Sequence, residues 1–432
     1  MSTLFKNASI LSTENGEFNY IPTGFLGVDG DTIDYIGAAL PEKKYDTVRD
    51  FSGKILMPGL FNAHTHAAMT LLRGLGSDLP LQTWLFDYMF PTEDRLRDKD
   101  IRTGSELALL EMLSTGTVSF SDMYYVSWET AEACGRAGIK ANLARAVQSF
   151  DPDENLADSY RIRESMDFFK NYNRAFDDLV RVDFSLHAEY TCTDKVVRYY
   201  SDLCSGLDGC MHIHLSETAS EHAQCIEKYG KTPAAWFRDL GAFRNPALAA
   251  HCVWVSEEDI GILKDCGVTA VHNPSSNMKL GSGFAPVVKL LDAGVNLALG
   301  TDGAASNNNL NMFEELHLAS VIHNGRLCDP TVMKPETVLK MATVNGARAQ
   351  NRTDTGELTV GKKADIIAID TDRPHLVPNT NPLALLCYSA QGSDVCMTMV
   401  NGKILYENGE FLTLDKEKIF YEANESIKYL GI

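Results

Sequence analysis

The sequence lacks the concentrated positive charge of a nucleic-acid-binding or membrane-associated protein. It has 39 lysines and arginines against 58 aspartates and glutamates, which gives a formal net charge of −19. Nucleic acids and anionic lipid surfaces both attract proteins through basic patches, and the sequence shows no such patch. We therefore expect no nucleic acid and no membrane as a partner, which leaves small molecules.

Paired cysteines and long apolar runs are also missing. The ten cysteines are scattered without a CxxC pair, which is typical of reduced, buried thiols rather than of a disulfide framework. No apolar run approaches the roughly 20 residues that span a bilayer. The first residues lack the basic start and apolar core of a secretory signal. These absences predict a soluble, cytoplasmic protein and leave its oligomeric state open, with a homo-oligomer as one alternative.

Both ends of the chain have the pattern of short β-strands. Up to residue 56, apolar runs alternate with turn signals, and Asp29-Gly30 suits a hairpin because glycine tolerates the positive φ of tight turns. After Gly356 the pattern returns, with Asn401-Gly402 as a second hairpin turn. Neither end can bury a core alone, so we expect residues 1–56 and 357–432 to form one small composite β-sandwich.

The middle of the chain, residues 57–356, alternates short apolar runs with stretches of helical period. Eight of these runs are strand candidates: KILMPGLFNAH, TVSFSD, KANLARAV, VRVDFSLHA, CMHIHLSE, ALAAHC, TAVHNP and NLALGTD. The candidate helices cover 100–114, 127–137, 219–239, 256–266 and 283–293. An open doubly wound sheet would also alternate strands and helices, but eight strands that all end in polar residues favour closure. We therefore predict an α/β fold, a (β/α)8 TIM-like barrel over 57–356.

Histidines and a carboxylate follow these strands at their C-terminal ends, where barrel enzymes carry their active sites. His64 and His66 are two residues apart at the end of the first strand, so both side chains can point to one ion. His214 ends the fifth strand, with His212 one layer deeper, and Asp302 ends the eighth. The ordinary alternatives are a surface histidine pair and a turn aspartate.

Glu217 and His251 lie at the same predicted end of the barrel. Glu217 follows the fifth strand by a few residues, and His251 ends the sixth. A helix N-terminal carboxylate and a core histidine are the ordinary explanations of these two residues. Taken together, however, the polar residues at four strand ends favour a shared metal site over separate structural roles.

These motifs resemble the amidohydrolase superfamily, in particular its branch of 5′-methylthioadenosine/S-adenosylhomocysteine deaminases and related chlorohydrolases. The resemblance covers nearly the whole chain and is most specific in the following motifs: MPGLFNAHTH (57–66), HLSE (214–217), His251, HNPSSNMKLGSG (272–283) and GTDGAASNN (300–308). It implies a barrel joined to a composite β-sandwich. It also implies one divalent ion, with Zn2+ favoured and Fe2+ as the alternative, bound by His64, His66, His214 and Asp302.

The resemblance further implies a hydrolytic reaction. A divalent ion lowers the pKa of its water toward about 7, and Asp302 can take a proton from that water. Glu217 can protonate the ring nitrogen and His251 can orient the hydroxide that attacks C6. Because ammonia leaves poorly without an acid whereas chloride needs none, Glu217 favours a deaminase. The fourth strand ends in His187 and offers no lysine for a carbamate bridge, so we expect a mononuclear site.

The long segment after the first strand implies the substrate. In the resembled deaminases a tryptophan and a glutamate there cover a nucleoside, and they match Trp84 and Glu93, with Glu93 on the ribose hydroxyls and Trp84 on the 5′ substituent. The alternative is an amphipathic lid helix with Glu93 in a solvated turn. His187 is expected to contact the purine together with Glu217, and Arg145 to line the far end of the pocket.

The segment SDMYYVSWET contains no Arg or Lys to bind the carboxylate of S-adenosylhomocysteine, unless a neighbouring subunit supplies one. The prediction is therefore an aminohydrolase of adenine nucleosides that yields the inosine analogue and ammonia. 5′-Methylthioadenosine, 5′-deoxyadenosine and adenosine are favoured over S-adenosylhomocysteine. Two alternatives stay open: an aminohydrolase or chlorohydrolase acting on a triazine, guanine or pterin ring, and a non-catalytic scaffold.

Overall fold

The computed structural model describes residues 1–14 and 16–432. Its strands, in chain order, are β1 (Ser2–Glu14), β2 (Glu17–Asp29), β3 (Thr32–Gly37), β4 (Thr47–Asp50), β5 (Lys54–Pro58), β6 (Leu60–Thr65), β7 (Thr117–Tyr124), β8 (Lys140–Val147), β9 (Val180–Leu186), β10 (Met211–Leu215), β11 (Ala247–His251), β12 (Thr269–His272), β13 (Leu297–Leu299), β14 (Ile366–Asp370), β15 (Val395–Val400), β16 (Lys403–Glu407) and β17 (Glu410–Phe411).

The longer helices are Asp98–Ser114, Ser127–Ala137, Tyr160–Tyr172, Asp194–Cys204, Ala219–Tyr229, Glu257–Asp265, Met312–Leu327, Pro335–Ala342 and Lys416–Leu430. Shorter helical segments are Ala67–Leu72, Leu81–Thr83, Trp84–Met89, Phe90–Glu93, Leu156–Asp158, Ala175–Asp178, Glu189–Thr191, Pro233–Asp239, Pro274–Lys279, Val287–Asp292, Val344–Ala349, Pro374–Leu376, Pro382–Tyr388 and Gly392–Asp394. None of the helices in the described part of the chain is both long and apolar enough to cross a bilayer.

Strands β6 to β13 form a parallel sheet in which each strand pairs with the next along the chain. The last strand returns to the first, since the Asp302 N–H donates to the His64 carbonyl at 2.9 Å. Strands β7 and β8 are buried along their whole length, as expected for a sheet covered on both faces. The predicted eight-stranded barrel is therefore confirmed, and it is nearly closed. The first predicted strand, KILMPGLFNAH, is divided at Gly59, so that only its second part, β6, belongs to the barrel.

One predicted helix is divided in two. Residues 219–239 form the helices Ala219–Tyr229 and Pro233–Asp239. Gly230 adopts a left-handed conformation with φ of 66° and ends the first helix, and Pro233 begins the second. Both features are common at helix boundaries, because glycine tolerates positive φ and proline lacks the N–H that a first turn leaves unused.

The two chain ends combine into one mixed sheet, in the order β17-β16-β15-β14-β5-β1-β2-β3, with β4 paired to β1. The ends meet where β5 and β14 run antiparallel. Buried residues of β1, β2, β3, β5, β14 and β15 share one apolar core. The sheet built from both chain ends is thus confirmed, and its strands form one continuous series of paired strands.

Two hairpin turns of this sheet lie against each other. The β2–β3 loop is Gly30-Asp31, one residue later than predicted, and the β15–β16 loop is Asn401-Gly402 as predicted. Gly30 and Gly402 have φ of 61° and 72°. A Cβ on Gly402 would lie 2.0 Å from the Gly30 carbonyl oxygen, so the two turns touch and only glycine fits there.

The sheet passes directly into the barrel. Only Gly59 lies between the end of β5 and the start of β6. The final helix, Lys416–Leu430, packs on the barrel helix Asp98–Ser114, where Ser426 Oγ donates to Asp100 Oδ1 at 2.6 Å. The last residues of the C-terminal range therefore contact the barrel beside the segment that covers its mouth.

Candidate active site

Four side chains converge at the C-terminal mouth of the barrel. His66 Nε2 lies 3.3 Å from His214 Nε2 and 3.3 Å from Asp302 Oδ1. His64 Nε2 lies 3.4 Å from the same Asp302 oxygen. The structure thus brings together the four residues that the sequence suggested as metal ligands.

The three histidines are oriented through their other ring nitrogen. His66 Nδ1 donates to the Met123 carbonyl at 2.7 Å, and His214 Nδ1 donates to the His187 carbonyl at 2.9 Å. His64 Nδ1 lies 2.8 Å from Nε2 of His212, which sits deeper in the barrel. This second contact is the usual arrangement of metal-binding imidazoles, because it fixes the ring and leaves Nε2 with its lone pair toward the ion.

The donor set fits a divalent cation. His64 Nε2 is fully buried and has no hydrogen-bond partner among the described residues, which is costly for a nitrogen with no ligand to bind. Three imidazole nitrogens and a carboxylate oxygen match the ligands of Zn2+ and of Fe2+. His64, His251 and Asp302 form a second converging group, so His251 borders the same point.

Asp302 is held by two serines. Ser276 Oγ and Ser306 Oγ donate to Oδ2 at 2.6 and 2.8 Å, so that Oδ1 is the oxygen that faces His64 and His66. Burial would raise the pKa of Asp302, but the two histidines outweigh it and hold that pKa well below its usual range. Both serines lie in the motifs quoted above, yet their role was not predicted.

The backbone at three strand ends is left-handed. Ser216, His251 and Asp302 have φ of 48°, 74° and 60°, and none of them is glycine. Such conformations cost energy and cluster at functional sites, where the surrounding structure enforces them. Here they turn the chain sharply at the point where β10, β11 and β13 deliver their side chains.

Glu217 and His251 face each other beside the four converging residues. Glu217 Oε2 lies 3.7 Å from His251 Nε2. His251 Nδ1 donates to Asn277 Oδ1 at 2.8 Å, and Ser282 Oγ donates to Glu217 Oε1 at 3.3 Å. Burial raises the pKa of Glu217. Burial alone would lower the pKa of His251, but the Glu217 and Asp302 carboxylates outweigh it and raise that pKa.

A cavity opens onto these residues, and it combines an apolar and aromatic lining with a few polar groups, as is typical of small-molecule sites. Its apolar and aromatic wall is formed by Met69, Leu81, Trp84, Leu85, Phe90, Tyr125, Tyr190 and Leu280. The polar groups His66, Glu93, His187, His214, Glu217, His251 and Asp302 also line it. The cavity therefore combines polar groups that can take part in a reaction with a wall that suits a flat or apolar group.

The segment after β6 covers this cavity. Trp84 is buried, and its indole N–H donates to the Leu75 carbonyl at 3.3 Å. Glu93 faces the cavity, and Tyr124, on barrel strand β7, donates to Glu93 Oε1 at 2.7 Å. Burial raises the pKa of Glu93 to about 7, although the side chain keeps some exposure. Both residues proposed for the nucleoside thus line the cavity, and Tyr124 is an unpredicted partner.

His187 and Arg145 differ in placement. His187 lines the cavity, with its ring centroid 4.7 Å from that of His214. Arg145 does not line the cavity, whereas its neighbour Ala146 does. The Arg145 guanidinium is paired with Glu164 at 2.8 Å and donates to the Ala146 carbonyl. Adjacent residues of a strand point to opposite faces, which accounts for the difference.

Comparison with known proteins agrees with the fold and the site. The model of the Amidohydrolase family matches residues 55–405. The chain is 43% identical over 432 residues to the 5-methylthioadenosine/S-adenosylhomocysteine deaminase of Acetivibrio thermocellus, covering 99% of both chains. It is 42% identical over 428 residues to the 5′-deoxyadenosine deaminase of Methanosarcina acetivorans, covering 99% of this chain and 98% of that one.

A solved structure extends this similarity to three dimensions. An adenosine deaminase from Xanthomonas campestris with bound zinc superposes with a TM-score of 0.93 at 30% identity, covering 99% of this chain and 98% of that one. The similarity therefore includes the barrel and the sheet built from both chain ends.

Proposed function

Because this chain belongs to the amidohydrolase family, we propose that it is a hydrolytic deaminase of adenine nucleosides, which it converts to the inosine analogue and ammonia. The observation that carries the proposal is the pairing of Glu217 and His251 at 3.7 Å beside the convergence of His64, His66, His214 and Asp302. Such a site combines a metal-binding point with an acid, as hydrolytic removal of an amine requires.

His64, His66, His214 and Asp302 would hold the divalent ion. When bound, that ion supplies Lewis-acid activation of water at neutral pH. The donors suit both Zn2+ and Fe2+. The zinc in the similar adenosine deaminase structure supports Zn2+ for this chain.

Two residues would carry the proton transfers, and a third assists. Asp302 takes a proton from the attacking water and passes it to the departing amine, which leaves as ammonia. Glu217 gives a proton to N1 of the purine, which makes C6 more electrophilic, and recovers a proton from the C6 hydroxyl as the carbonyl forms. The raised pKa of Glu217 supports this role, because it favours the protonated form that an acid needs. His251, held by Asn277, orients the water and stabilises the negative charge that develops on the intermediate.

The cavity wall supports a nucleoside. Glu93, held by Tyr124, would accept hydrogen bonds from the ribose hydroxyls, and Trp84 would pack against the 5′ substituent. His187, which also lines the cavity, would contact the purine. An aromatic wall of this kind favours a flat base and an apolar 5′ group.

The charges around the cavity favour neutral 5′ substituents. Its acidic side chains are Glu93, Glu217 and Asp302, and none of the described residues that line it is Lys or Arg. Arg145 is engaged by Glu164 outside the wall. A carboxylate on the substrate would enter this cavity without a lysine or arginine to pair with it. We therefore propose 5′-methylthioadenosine, 5′-deoxyadenosine and adenosine as substrates ahead of S-adenosylhomocysteine.

A panel assay tests this function. Ammonia release and the ultraviolet change of adenine deamination are measured for nucleosides that differ only at the 5′ position. We expect turnover of the three neutral nucleosides and a lower kcat/KM for S-adenosylhomocysteine. Inactivity toward all four, together with turnover of a triazine, guanine or pterin, would refute the proposal. The variant Arg163→Gln, an exposed residue of the barrel exterior, serves as a control for handling and metal loading.

A further inference from the structure

Two buried carboxyl groups, those of Glu189 and Glu221, lie close to Glu217. Glu189 is in the short helical turn Glu189–Thr191, which follows the cavity residue His187. Glu221 is in the first turn of the helix Ala219–Tyr229. Both side chains are 3% exposed. The pair therefore joins two chain segments that form the wall of the cavity.

Glu221 holds the backbone of Glu217. Its Oε2 accepts the Glu217 N–H at 3.1 Å and the Thr218 N–H at 3.2 Å. Its other oxygen, Oε1, is buried without a hydrogen-bond partner among the described residues, and so is Glu189 Oε2. The two segments that carry these side chains contact each other, and each carboxyl group affects the pKa of the other.

Two ionised carboxylates only accept hydrogen bonds, so this contact requires a proton between them. Burial raises the pKa of Glu189 well above its usual range, and the charge of Glu221 adds to this effect. Burial also raises the pKa of Glu221 to about 7. The titratable groups that face the pair are Glu217, His251, Tyr190, Cys192, Cys225 and Cys252. Among these groups only His251 can carry a positive charge.

We propose that Glu189 is a positioning residue for the deaminase reaction, donating a carboxyl proton to Glu221, which in turn fixes the peptide of Glu217 beside His251. This inference rests on the proposed function, since it assigns Glu217 as the acid. A carboxyl group at position 189 keeps Glu221 ionised and aligned on the two N–H groups. Without the proton, two negative charges would face each other in a buried space and displace one side chain.

The variants Glu189→Gln and Glu189→Ala separate this role from simple packing. Glutamine keeps an N–H donor toward Glu221 but cannot titrate, whereas alanine removes the donor. We expect Glu189→Gln to keep kcat within about twofold of wild type at neutral pH, and Glu189→Ala to lose about tenfold in kcat with less change in KM.

The pH profile gives the sharper result. As pH rises, wild type loses both the shared proton and the Glu217 proton, whereas Glu189→Gln loses only the Glu217 proton, so the kcat of the variant should fall less steeply on the alkaline side. Profiles of wild type and Glu189→Gln that coincide on the alkaline side, or wild-type kcat in Glu189→Ala, would overturn the proposal. Glu257→Gln is the matched control, because this carboxylate is exposed on the outer surface in an ion pair with Lys289.

Unfolding experiments test the proton independently of catalysis. A carboxyl group whose pKa is raised by folding binds more protons in the folded state than in the unfolded state, so its contribution to the free energy of unfolding falls as pH rises. Glu189→Gln lacks this titration, so its stability relative to wild type should increase from about pH 5 upward. A difference that is independent of pH would overturn the shared proton. Wild-type inactivity toward every adenine nucleoside would instead refute the proposed function.

Discussion

Tyr124 connects a barrel strand to the segment that covers the cavity, and the loss of its hydroxyl group should weaken ribose binding. The Tyr124 hydroxyl donates to Glu93 Oε1 at 2.7 Å. Burial raises the pKa of Glu93 to about 7, and the hydrogen bond from Tyr124 is one of two contributions that oppose this rise. In Tyr124→Phe, Glu93 loses its anchor, and its pKa rises further. Glu93 then carries a proton at neutral pH and accepts fewer hydrogen bonds from the ribose hydroxyls.

The magnitude follows from the charge of the acceptor. A hydrogen bond to an ionised group contributes about 1.5–3 kcal/mol, which corresponds to a loss of about 10- to 150-fold in kcat/KM. Because Glu93 keeps some exposure, water can replace part of the lost bond, and we expect the lower end of that range. The acidic limb of the kcat/KM profile should also move to higher pH, because Glu93 in the variant has a higher pKa and needs a higher pH to ionise.

The assay compares a nucleoside with its free base. Deamination of 5′-deoxyadenosine and of adenine is measured for wild type and Tyr124→Phe across pH. The nucleoside should lose about tenfold in kcat/KM and the free base little. Tyr172→Phe is the matched control, because its hydroxyl donates at 3.1 Å to Glu132 on the barrel exterior. Equal losses for nucleoside and base, or no loss for either, would refute the link between Tyr124 and the ribose.

Three further predictions concern the metal, the acid and the arginine. Ser276→Ala removes one donor to Asp302 and should weaken metal binding about 10- to 100-fold, as measured by competition with a chelator. Glu217→Gln should lower kcat by about a hundredfold or more. In wild type the raised pKa of Glu217 means that activity is present below that pKa and is lost as pH rises through it. Arg145→Met should lower the Tm by breaking the ion pair with Glu164, but it should leave the kcat/KM ratio of 5′-methylthioadenosine to S-adenosylhomocysteine unchanged.

The sequence was sufficient to predict which side chains meet at the strand ends, because the barrel topology determines where those ends lie. His64 and His66 alternate on one strand, and Asp302 follows a short apolar run, so strand periodicity and the parallel topology together bring them to one mouth. The resemblance to a family supplied the covering segment with Trp84 and Glu93, which periodicity alone leaves as an amphipathic helix.

The side chains that contact these site residues could not be predicted from the sequence in the same way. Ser276 reaches Asp302 from the helix Pro274–Lys279 and Ser306 from the loop that follows β13, whereas Glu189 and Glu221 lie on two different segments. Only the folded chain brings the members of each group together. Arg145 shows that a position on a strand can face either the cavity or the outer side of the barrel. A shift of one residue exchanges the cavity face for the outer face, and the polar character of Arg145 alone does not reveal which face it occupies.

The central claim is tested most directly by ammonia release from 5′-deoxyadenosine with Zn2+-loaded protein, measured beside Asp302→Asn. The proposed site predicts one ammonia for each inosine analogue formed by wild type, and loss of both products in the variant. Stoichiometrically metal-loaded wild type that releases no ammonia from any adenine nucleoside would contradict it.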